Sequence, residues 1–254
     1  MDEVWCVNLG QVPYEPAREL QKRLEAARHA GEIPDLLLLL EHPPTYTRGR
    51  RSDPSELPMG VEWYERQGIE VRDTDRGGRV TYHGPGQLVG YPIMSLRAYG
   101  DDVNEYLRRM ERVMVGSLGA VDIDAGTIDG LTGVWAGDPA ALAEGADADS
   151  VAPQIVTGAV RKIGSIGVHV SRGITTHGFA INVSNGLEPF EWIVPCGIDG
   201  CRMTSVSREL GAEQPSEEFA EIVVERFGDA YERRPVAVES KALDSLGPAV
   251  ALNQ

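Results

Sequence analysis

The sequence predicts a mixed α/β fold, with one sheet and flanking helices. Short runs rich in β-branched and other apolar residues alternate along the chain with segments of helical periodicity. The hydrophobic content of 42% is enough for a buried core. A length of 254 residues suits one large domain or two small ones. Because no internal repeat is evident, we expect a single domain over residues 1–254.

The first half of the chain alternates strands with helices. The segment 102–118 is the clearest helix, because Leu107, Met110 and Val113 lie on one face at helical spacing. The run 36–40 consists only of leucines and has the length of a strand. We predict strands at 4–9, 36–41, 69–72, 79–82 and 87–94, and helices at 16–29, 61–67 and 102–118.

The second half of the chain begins with a segment that lacks periodicity. Residues 137–153 are small and acidic, which is typical of a mobile surface insertion. The tail, 235–254, has one short apolar run at 236–238, which we expect to be an edge strand before the chain frays. Between the insertion and the tail we predict strands at 155–170 and 174–183 and helices at 204–210 and 216–230.

The chain is acidic, but its charge is unevenly distributed. The formal net charge of −15 argues against nucleic acid or an anionic membrane as the main partner, since both require a basic surface. Segments 42–112 and 161–208 carry no net negative charge, and they hold the motifs described below. This pattern is either chance clustering of surface charge or a neutral to basic mouth for an anionic partner.

The N-terminal residues and the cysteines indicate a reducing compartment. The segment 1–8 lacks the basic and apolar regions of a signal peptide. The three cysteines, Cys6, Cys196 and Cys201, cannot all pair within one chain, and their spacing fits neither a CxxC motif nor a four-ligand zinc site. The five histidines are scattered, so no metal site is expected. We therefore expect a cytoplasmic protein that does not bind a membrane.

Residues 76–91 form the most informative segment of the chain. They read Arg-Gly-Gly-Arg-Val-Thr-Tyr-His-Gly-Pro-Gly-Gln-Leu-Val-Gly-Tyr, which predicts a short strand between two glycine-rich loops. Glycines allow close approach and leave backbone N–H groups open to a ligand. On these glycines alone, a ligand-binding segment and an ordinary glycine-rich hairpin are equally good interpretations.

A cysteine and a lysine are the candidates for chemistry. Cys196 lies in a Pro-Cys-Gly bend that can expose its sulfur to a substrate, although a buried structural cysteine is the more common case. A nucleophilic thiolate needs a nearby cation. Lys162, one of only three lysines against 21 arginines, is either that cation, acting as base and acid in acyl transfer, or a solvated strand residue. Cys6 and Cys201 are expected to be structural.

Two histidines in glycine-rich settings are the alternatives to Lys162. Either His83 or His177 could orient a thiol in a cysteine–histidine pair, and each could equally be a hydrogen-bonded structural residue. The sequence leaves open whether either of them takes part in proton transfer.

Four motifs together resemble the lipoyl(octanoyl) transferase family of lipoate biosynthesis. In the order of that family they lie at 41–50, at 76–87, at 162–167 with 177–179, and at 195–198. They are spread across most of residues 36–210. The sequence departs from the family at Arg48, where an apolar residue is usual, and at 137–153, which is longer than the usual link before the lysine motif.

The resemblance implies a fold and a set of site residues. The fold is the α/β architecture of the biotin and lipoate protein ligase catalytic domains, here as a single octanoyltransferase catalytic domain. Cys196 becomes the nucleophile that carries the acyl thioester, and Lys162 becomes the residue that lowers its pKa. The implied substrate-binding residues are Arg76, Gly77, Gly78, Arg79, Val80, Thr81, Tyr82, His83, Ser165, Ile166, Gly167, Gly178, Phe179 and Ala180.

The resemblance also implies a reaction and its partners. A monomeric enzyme without a cofactor of its own would move an octanoyl or lipoyl group from the phosphopantetheine thioester of acyl carrier protein to a lysine. The acceptors would be the lipoyl domains of 2-oxoacid dehydrogenase complexes and the glycine cleavage H protein. The alternatives are an ATP-dependent lipoate or biotin ligase, a cysteine thioesterase, and a non-enzymatic module that binds lipoyl domains.

Overall fold

The computed structural model describes residues 2–138, 140–142, 145–194 and 200–246, which form an eight-stranded sheet and a separate three-stranded sheet. The strands of the large sheet are β1 (Glu3–Gln11), β2 (Asp35–Glu41), β6 (Gln87–Ile93), β7 (Ala125–Ile128), β8 (Leu131–Gly137), β9 (Val160–Ser171), β10 (Ile174–Asn182) and β11 (Arg234–Ala237). The small sheet contains β3 (Thr45–Arg48), β4 (Glu70–Asp73) and β5 (Thr81–His83).

The large sheet is mixed. Its strand order is β11-β1-β2-β6-β10-β9-β8-β7, and only the first three strands run parallel to each other. The five strands from β6 to β7 pair in antiparallel fashion, and β2 pairs antiparallel with β6. In the small sheet β3 lies between its parallel partner β4 and its antiparallel partner β5.

Helices cover both faces of the large sheet. The helices are α1 (Tyr14–Ala30), α2 (Val61–Arg66), α3 (Val103–Gly119), α4 (Ala148–Thr157), α5 (Glu188–Glu191), α6 (Val206–Leu210) and α7 (Ser216–Tyr231). Of these, α2 and α5 pack against the small sheet. The five leucines of β2 show how the two layers form, because successive side chains of a strand point to opposite faces. Leu36, Leu38 and Leu40 pack in the core under α1, whereas Leu37 and Leu39 pack in the core under α3 and α7.

The mixed α/β fold class and most predicted elements are confirmed. The exceptions are β3, β7, β8 and the short helix α5, which were not predicted, and the region around α4. Residues 148–153, predicted as part of an insertion, begin α4, and residues 155–157 end this helix instead of beginning a strand. The Asp147 side chain and Ser150 cap each other's backbone at its N-terminus, which stabilises the first turn. Pro139, Ala143 and Glu144 of the predicted insertion lie outside the described residues.

The C-terminal segment confirms the predicted edge strand. Strand β11 pairs in parallel with β1, so that Val236 lies opposite Trp5 at the outer edge of the sheet. Residues 247–254 of the predicted tail lie outside the described residues. Among the residues that the structure describes, no helix has the length and apolar character needed to cross a membrane.

Candidate active site

A cavity of about 230 Å³ lies where the middle of the large sheet meets the glycine-rich loop before β5. Its wall combines strands β6, β9 and β10 with segments that are distant in the sequence. The lining residues are Tyr14, Arg51, Arg76, Gly78, Arg79, Val80, Thr81, His83, Val89, Tyr91, Gly130, Leu131, Thr132, Lys162, Ser165, Ile166, Gly167, His177, Gly178, Phe179 and Ala180. The fold therefore brings segments 76–83, 162–167 and 178–180 to one place.

Of the residues predicted to bind substrate, only Gly77 and Tyr82 do not line this cavity. The Gly77 N–H donates to the Val168 carbonyl at 2.9 Å and so ties the loop to β9. The Tyr82 ring packs against Tyr46 and Phe190 in the small core beneath the three-stranded sheet, with centroid distances of 5.5 and 5.4 Å. Both residues support the wall of the cavity from behind.

Arg76 lines the cavity, and its guanidinium holds the surrounding loop together. The Nη2 atom donates to the carbonyl oxygens of Thr47 and Arg79 at 2.7 and 2.8 Å. The Nη1 atom donates to the Gly77 carbonyl at 2.9 Å. Arg76 is only 8% exposed, so these bonds compensate for removing its charge from water. They also fix the position of the glycine-rich loop on β3.

The glycine at position 167 allows the loop to approach the sheet. It lies on β9 opposite Gly178 of β10. A Cβ atom at Gly167 would lie 2.9 Å from the Gly77 carbonyl oxygen and 3.0 Å from the Arg76 side chain. Any larger residue would push the loop away from β9, so the shape of the cavity depends on this glycine.

His83 is buried and neutral. Its Nδ1–H donates to Gln87 Oε1 at 2.7 Å, an orientation that follows because the Gln87 amide nitrogen donates to the Asn182 side chain. Burial lowers the pKa of His83 well below its usual value. A neutral imidazole cannot supply the positive charge that a thiolate requires.

His177 is also buried and pairs with a carboxylate. Its Nε2–H donates to Asp75 at 2.9 Å. Burial lowers the pKa of His177 although Asp75 opposes this effect, and the hydrogen bond from His177 lowers the pKa of Asp75. The pair is therefore a neutral imidazole on an ionised carboxylate, and His177 supplies no cation either.

Lys162 reaches the cavity from β9 and is 2% exposed. Its Nζ atom donates to the Thr132 carbonyl at 2.8 Å. Its backbone is held by the segment that follows Cys196, since the Lys162 N–H donates to the Arg202 carbonyl at 2.8 Å and the Thr204 N–H donates to the Lys162 carbonyl at 2.9 Å. A buried lysine with this many contacts is not a solvated strand residue.

Cys196 lies outside the described residues, and Val194, two residues before it, is hydrogen-bonded to a residue that supports the cavity wall. On the N-terminal side, the Val194 N–H donates to the Glu56 carbonyl at 3.1 Å. The buried Glu56 carboxylate binds Arg79 at 2.5 Å and accepts from the Val80 N–H at 3.2 Å. Since Arg79 and Val80 line the cavity, Val194 is attached directly behind them.

The other two cysteines lie in apolar surroundings. Cys6 belongs to the core under α3 and α7, and burial raises the pKa of its thiol to about 11. Cys201 is half-buried and packs against the core under the small sheet. Over the described ranges, no group of three or more histidine, cysteine, aspartate or glutamate side chains could hold a metal ion.

Comparison with known proteins identifies the family. Residues 13–228 match the model of the lipoyl protein ligase A/B catalytic domain. The chain belongs to this family. An octanoyltransferase of Koribacter versatilis is 40% identical over 239 residues, which are 93% of this chain and 88% of the relative. An octanoyltransferase of Mycobacterium sp. strain KMS is 42% identical over 97% of this chain and 92% of the relative.

Solved structures confirm the predicted fold. The bipartite lipoate protein ligase of Thermoplasma acidophilum superposes with a TM-score of 0.68 at 16% identity, covering 97% of this chain and 91% of that one. A lipoate-protein ligase A bound with ATP gives a TM-score of 0.63 at 14% identity, with coverages of 97% and 92%. Together with the curated relatives, this family membership confirms the predicted enzyme class, an acyltransferase.

The sequence did not single out several lining residues. Tyr14 precedes the helix predicted at 16–29 and carries no motif. Gly130 lies in the turn before β8, and Leu131 and Thr132 lie in β8, which was not predicted. Tyr91 is the last residue of the glycine-rich segment 76–91, and its place in that segment was the one sequence signal that it lines the cavity. The histidines at 83 and 177 were recognised as candidates, and both lie in the cavity wall.

Proposed function

We propose that this chain transfers an octanoyl or lipoyl group from the thioester of acyl carrier protein to a lysine of a lipoyl domain, through an acyl group carried on Cys196. The observation that carries this proposal is the position of Lys162. It is buried in the cavity wall, and its backbone is hydrogen-bonded to Arg202 and Thr204 on the segment that follows Cys196. On the other side, Val194 is attached to Glu56 behind the same wall.

Chain connectivity supports pairing of the two residues. Cys196 follows Val194 by two residues, and two residues of extended chain span at most about 7 Å. Because His83 and His177 are neutral, Lys162 is the lining residue best suited to give and take a proton beside a thiolate.

The reaction has two steps. In the first, the Cys196 thiolate attacks the thioester carbonyl, a new carbon–sulfur bond forms, and the carrier thiol leaves after Lys162 returns a proton to it. In the second, the acceptor amine attacks the acyl-cysteine, loses one proton to Lys162, and forms an amide as the Cys196 thiolate leaves. The thioester supplies the activation, so neither ATP nor another cofactor is needed.

The cavity suits a medium-length acyl chain. Its apolar lining comes from Val80, Val89, Leu131, Ile166, Phe179 and Ala180. Glycines at 167 and 178 allow these walls to approach closely, which limits the depth available to the chain. Such a cavity favours an octanoyl or lipoyl chain over a long fatty acyl group.

The mouth of the cavity suits acidic partners. Arg50 and Arg51 are exposed on a loop whose backbone is hydrogen-bonded to Arg76 and Gly78, and Arg51 lines the cavity. The rest of the chain is acidic, with a net charge of −15 overall. We therefore place acyl carrier protein, the lipoyl domains of 2-oxoacid dehydrogenase complexes and the glycine cleavage H protein at this mouth, one at a time, on a cytoplasmic monomer.

Intact mass spectrometry tests the proposal. The protein is incubated with octanoyl-carrier protein in the absence of ATP, and the mass of one octanoyl group should appear on the wild type and on Cys201→Ala. It should be absent from Cys196→Ala. Addition of a lipoyl domain should then move the group to the acceptor, and binding of the carrier should weaken as the salt concentration rises.

Three results would contradict it. Full acylation and transfer by Cys196→Ala would exclude the covalent intermediate. A strict requirement for ATP and magnesium would favour a ligase, the activity named for the solved structures of this fold. Release of free octanoate in the presence of the acceptor would identify a thioesterase.

A further inference from the structure

The Lys162 side chain lies in a slot formed by β8. Trp135 of β8 pairs with Lys162 of β9, and the next residue of β8 toward its N-terminus, Val134, pairs with Gly164. Strand β9 therefore advances two residues where β8 advances one, which is a β-bulge at Ile163. Bulges re-aim the side chains beside them. Here the re-aimed side chain is that of Lys162.

Gly133 forms the floor of this slot. A Cβ atom at Gly133 would lie 2.8 Å from Lys162 Cε and 3.1 Å from Nζ. The φ angle of Gly133 is +118°, which other residues rarely adopt. The absence of a side chain therefore allows the butyl chain of Lys162 to lie directly on β8.

Trp135 forms one wall of the slot. The Nζ atom of Lys162 lies 5.3 Å from the centroid of the Trp135 ring, which is within the range of a cation–π contact. The ring is fully buried among Val151 and Ile155 of α4 and Val160 of β9. The core under α4 thus fixes the ring, and the ring fixes the ammonium.

We propose that Trp135 and Gly133 are positioning residues that hold the Lys162 ammonium toward Cys196. This inference rests on the functions proposed above for Lys162 and Cys196. Burial of a positive charge is unfavourable unless surrounding groups favour a cation. The Thr132 carbonyl and the electron-rich face of Trp135 provide such groups. The ammonium is then held in place while the thiolate forms.

Other titratable and charged groups share the cavity and must be considered in any test. They are Tyr14, Arg51, Arg76, Arg79, His83, Tyr91 and His177. Arg202 contacts Lys162 through its backbone carbonyl, and its side chain lies against Gly158. None of these groups lies on β8, so a substitution at Trp135 does not replace any of them.

The test measures how fast iodoacetamide alkylates Cys196 as a function of pH, with the modified peptide quantified by mass spectrometry. Trp135→Leu should lower the alkylation rate at pH 7 by roughly three- to tenfold and move the midpoint of the profile to higher pH. Lys162→Ala should move the midpoint further. The double variant should match Lys162→Ala, because Trp135 acts through Lys162.

Fluorinated tryptophans keep the inference testable if Trp135→Leu does not fold. One to four fluorines introduced at Trp135 alone preserve the ring shape while withdrawing electron density from its face. The midpoint should rise stepwise with the number of fluorines, and the same analogues at Trp5, on β1, should leave it unchanged.

Two outcomes would overturn the inference. If Trp135→Leu and the fluorinated proteins keep the wild-type profile while Lys162→Ala shifts it, Trp135 does not position the ammonium and the proposed function survives. If Lys162→Ala itself keeps the wild-type profile, the proposed role of Lys162 is wrong, and the role of Trp135 is wrong with it.

Discussion

Arg76 and Lys162 are two buried cations in the wall of one cavity, and the protein uses them differently. Arg76 donates to the carbonyl groups of Thr47, Gly77 and Arg79 and fixes the glycine-rich loop. Lys162 lies against Trp135 at the end of a β-bulge, beside the segment that follows Cys196. A guanidinium keeps its proton and offers several rigid donors, whereas an ammonium can exchange its proton. In the proposed mechanism, arginine therefore builds the cavity and lysine supplies the chemistry.

Removing Lys162 should have the largest effect on the reaction and little effect on the fold. In Lys162→Ala, we expect the rate of Cys196 acylation at pH 7 to fall by roughly 10²- to 10⁴-fold. The rate should recover partly at higher pH, because an unassisted thiol ionises near its ordinary pKa of ~8.5. Acylation followed by mass spectrometry across pH provides the measurement.

Lys162→Arg is the matched control for this prediction. It keeps a positive charge but cannot exchange a proton, so it should acylate faster than Lys162→Ala and still fail in the second step. An unchanged acylation rate in Lys162→Ala would contradict the proposed chemical role of Lys162 and with it the contrast to Arg76.

Removing Arg76 should act mainly on stability. In Arg76→Ala, several buried carbonyl groups lose their donors, and we expect the free energy of unfolding to fall by roughly 2–4 kcal/mol. Arg76→Lys should recover only part of this loss, because one ammonium cannot reach all three carbonyls. Urea unfolding measures the effect, with the exposed Arg97→Ala as a control that should change little. A wild-type stability for Arg76→Ala would show that the loop is held by other contacts.

The histidines beside the cavity should make the free energy of unfolding depend on pH, by a smaller amount than the loss of Arg76. Arg76 itself does not titrate in this range. The His42 Nδ1–H donates to the Val12 carbonyl at 2.6 Å, and burial lowers the pKa of His42 to about 4. The pKa of His42 in the folded protein lies below its unfolded value of ~6.5. The free energy that favours folding with a neutral His42 is therefore fully present above pH 6.5 and is lost as the pH falls toward 4. We expect a loss on the order of 2 kcal/mol between pH 7.5 and 5.

His42→Gln is the matched control for the pH prediction. Glutamine can also donate to the Val12 carbonyl and does not titrate, so the stability of this variant should depend less steeply on pH. Burial lowers the pKa of His83 in the same direction, so His83 should account for part of the pH dependence of stability that remains in the variant. Identical slopes for the variant and the wild type would show that His42 is not kept neutral.

The sequence predicted regular elements well and failed where local signals conflicted. The leucines of β2 and the apolar face of α3 determine their elements through periodicity alone. By contrast, α4 contains Pro153 and several small residues, which favour a loop. Its stability comes from a capping box and from Val151 and Ile155 in a local core. Gly133 and Gly137 weaken the strand signal of β8.

The candidate site was predicted to a similar degree. The resemblance to the octanoyltransferase family implied that the glycine-rich motif and the lysine motif share one pocket, and residues of both motifs line the cavity. Tyr14 and Thr132 line the same cavity from segments without any motif, and only the pairing of distant strands brings them there. The pairing of Cys196 with Lys162 stays a prediction, which the acylation experiments above test directly.

The two outer strands of the large sheet have a consequence for self-association. Both β11 and β7 are only four residues long, and β11 contains Pro235, which has no N–H to offer to another chain. Long flat edge strands invite pairing between molecules, and short or proline-containing edges discourage it. The sheet therefore carries its own protection against edge-to-edge aggregation.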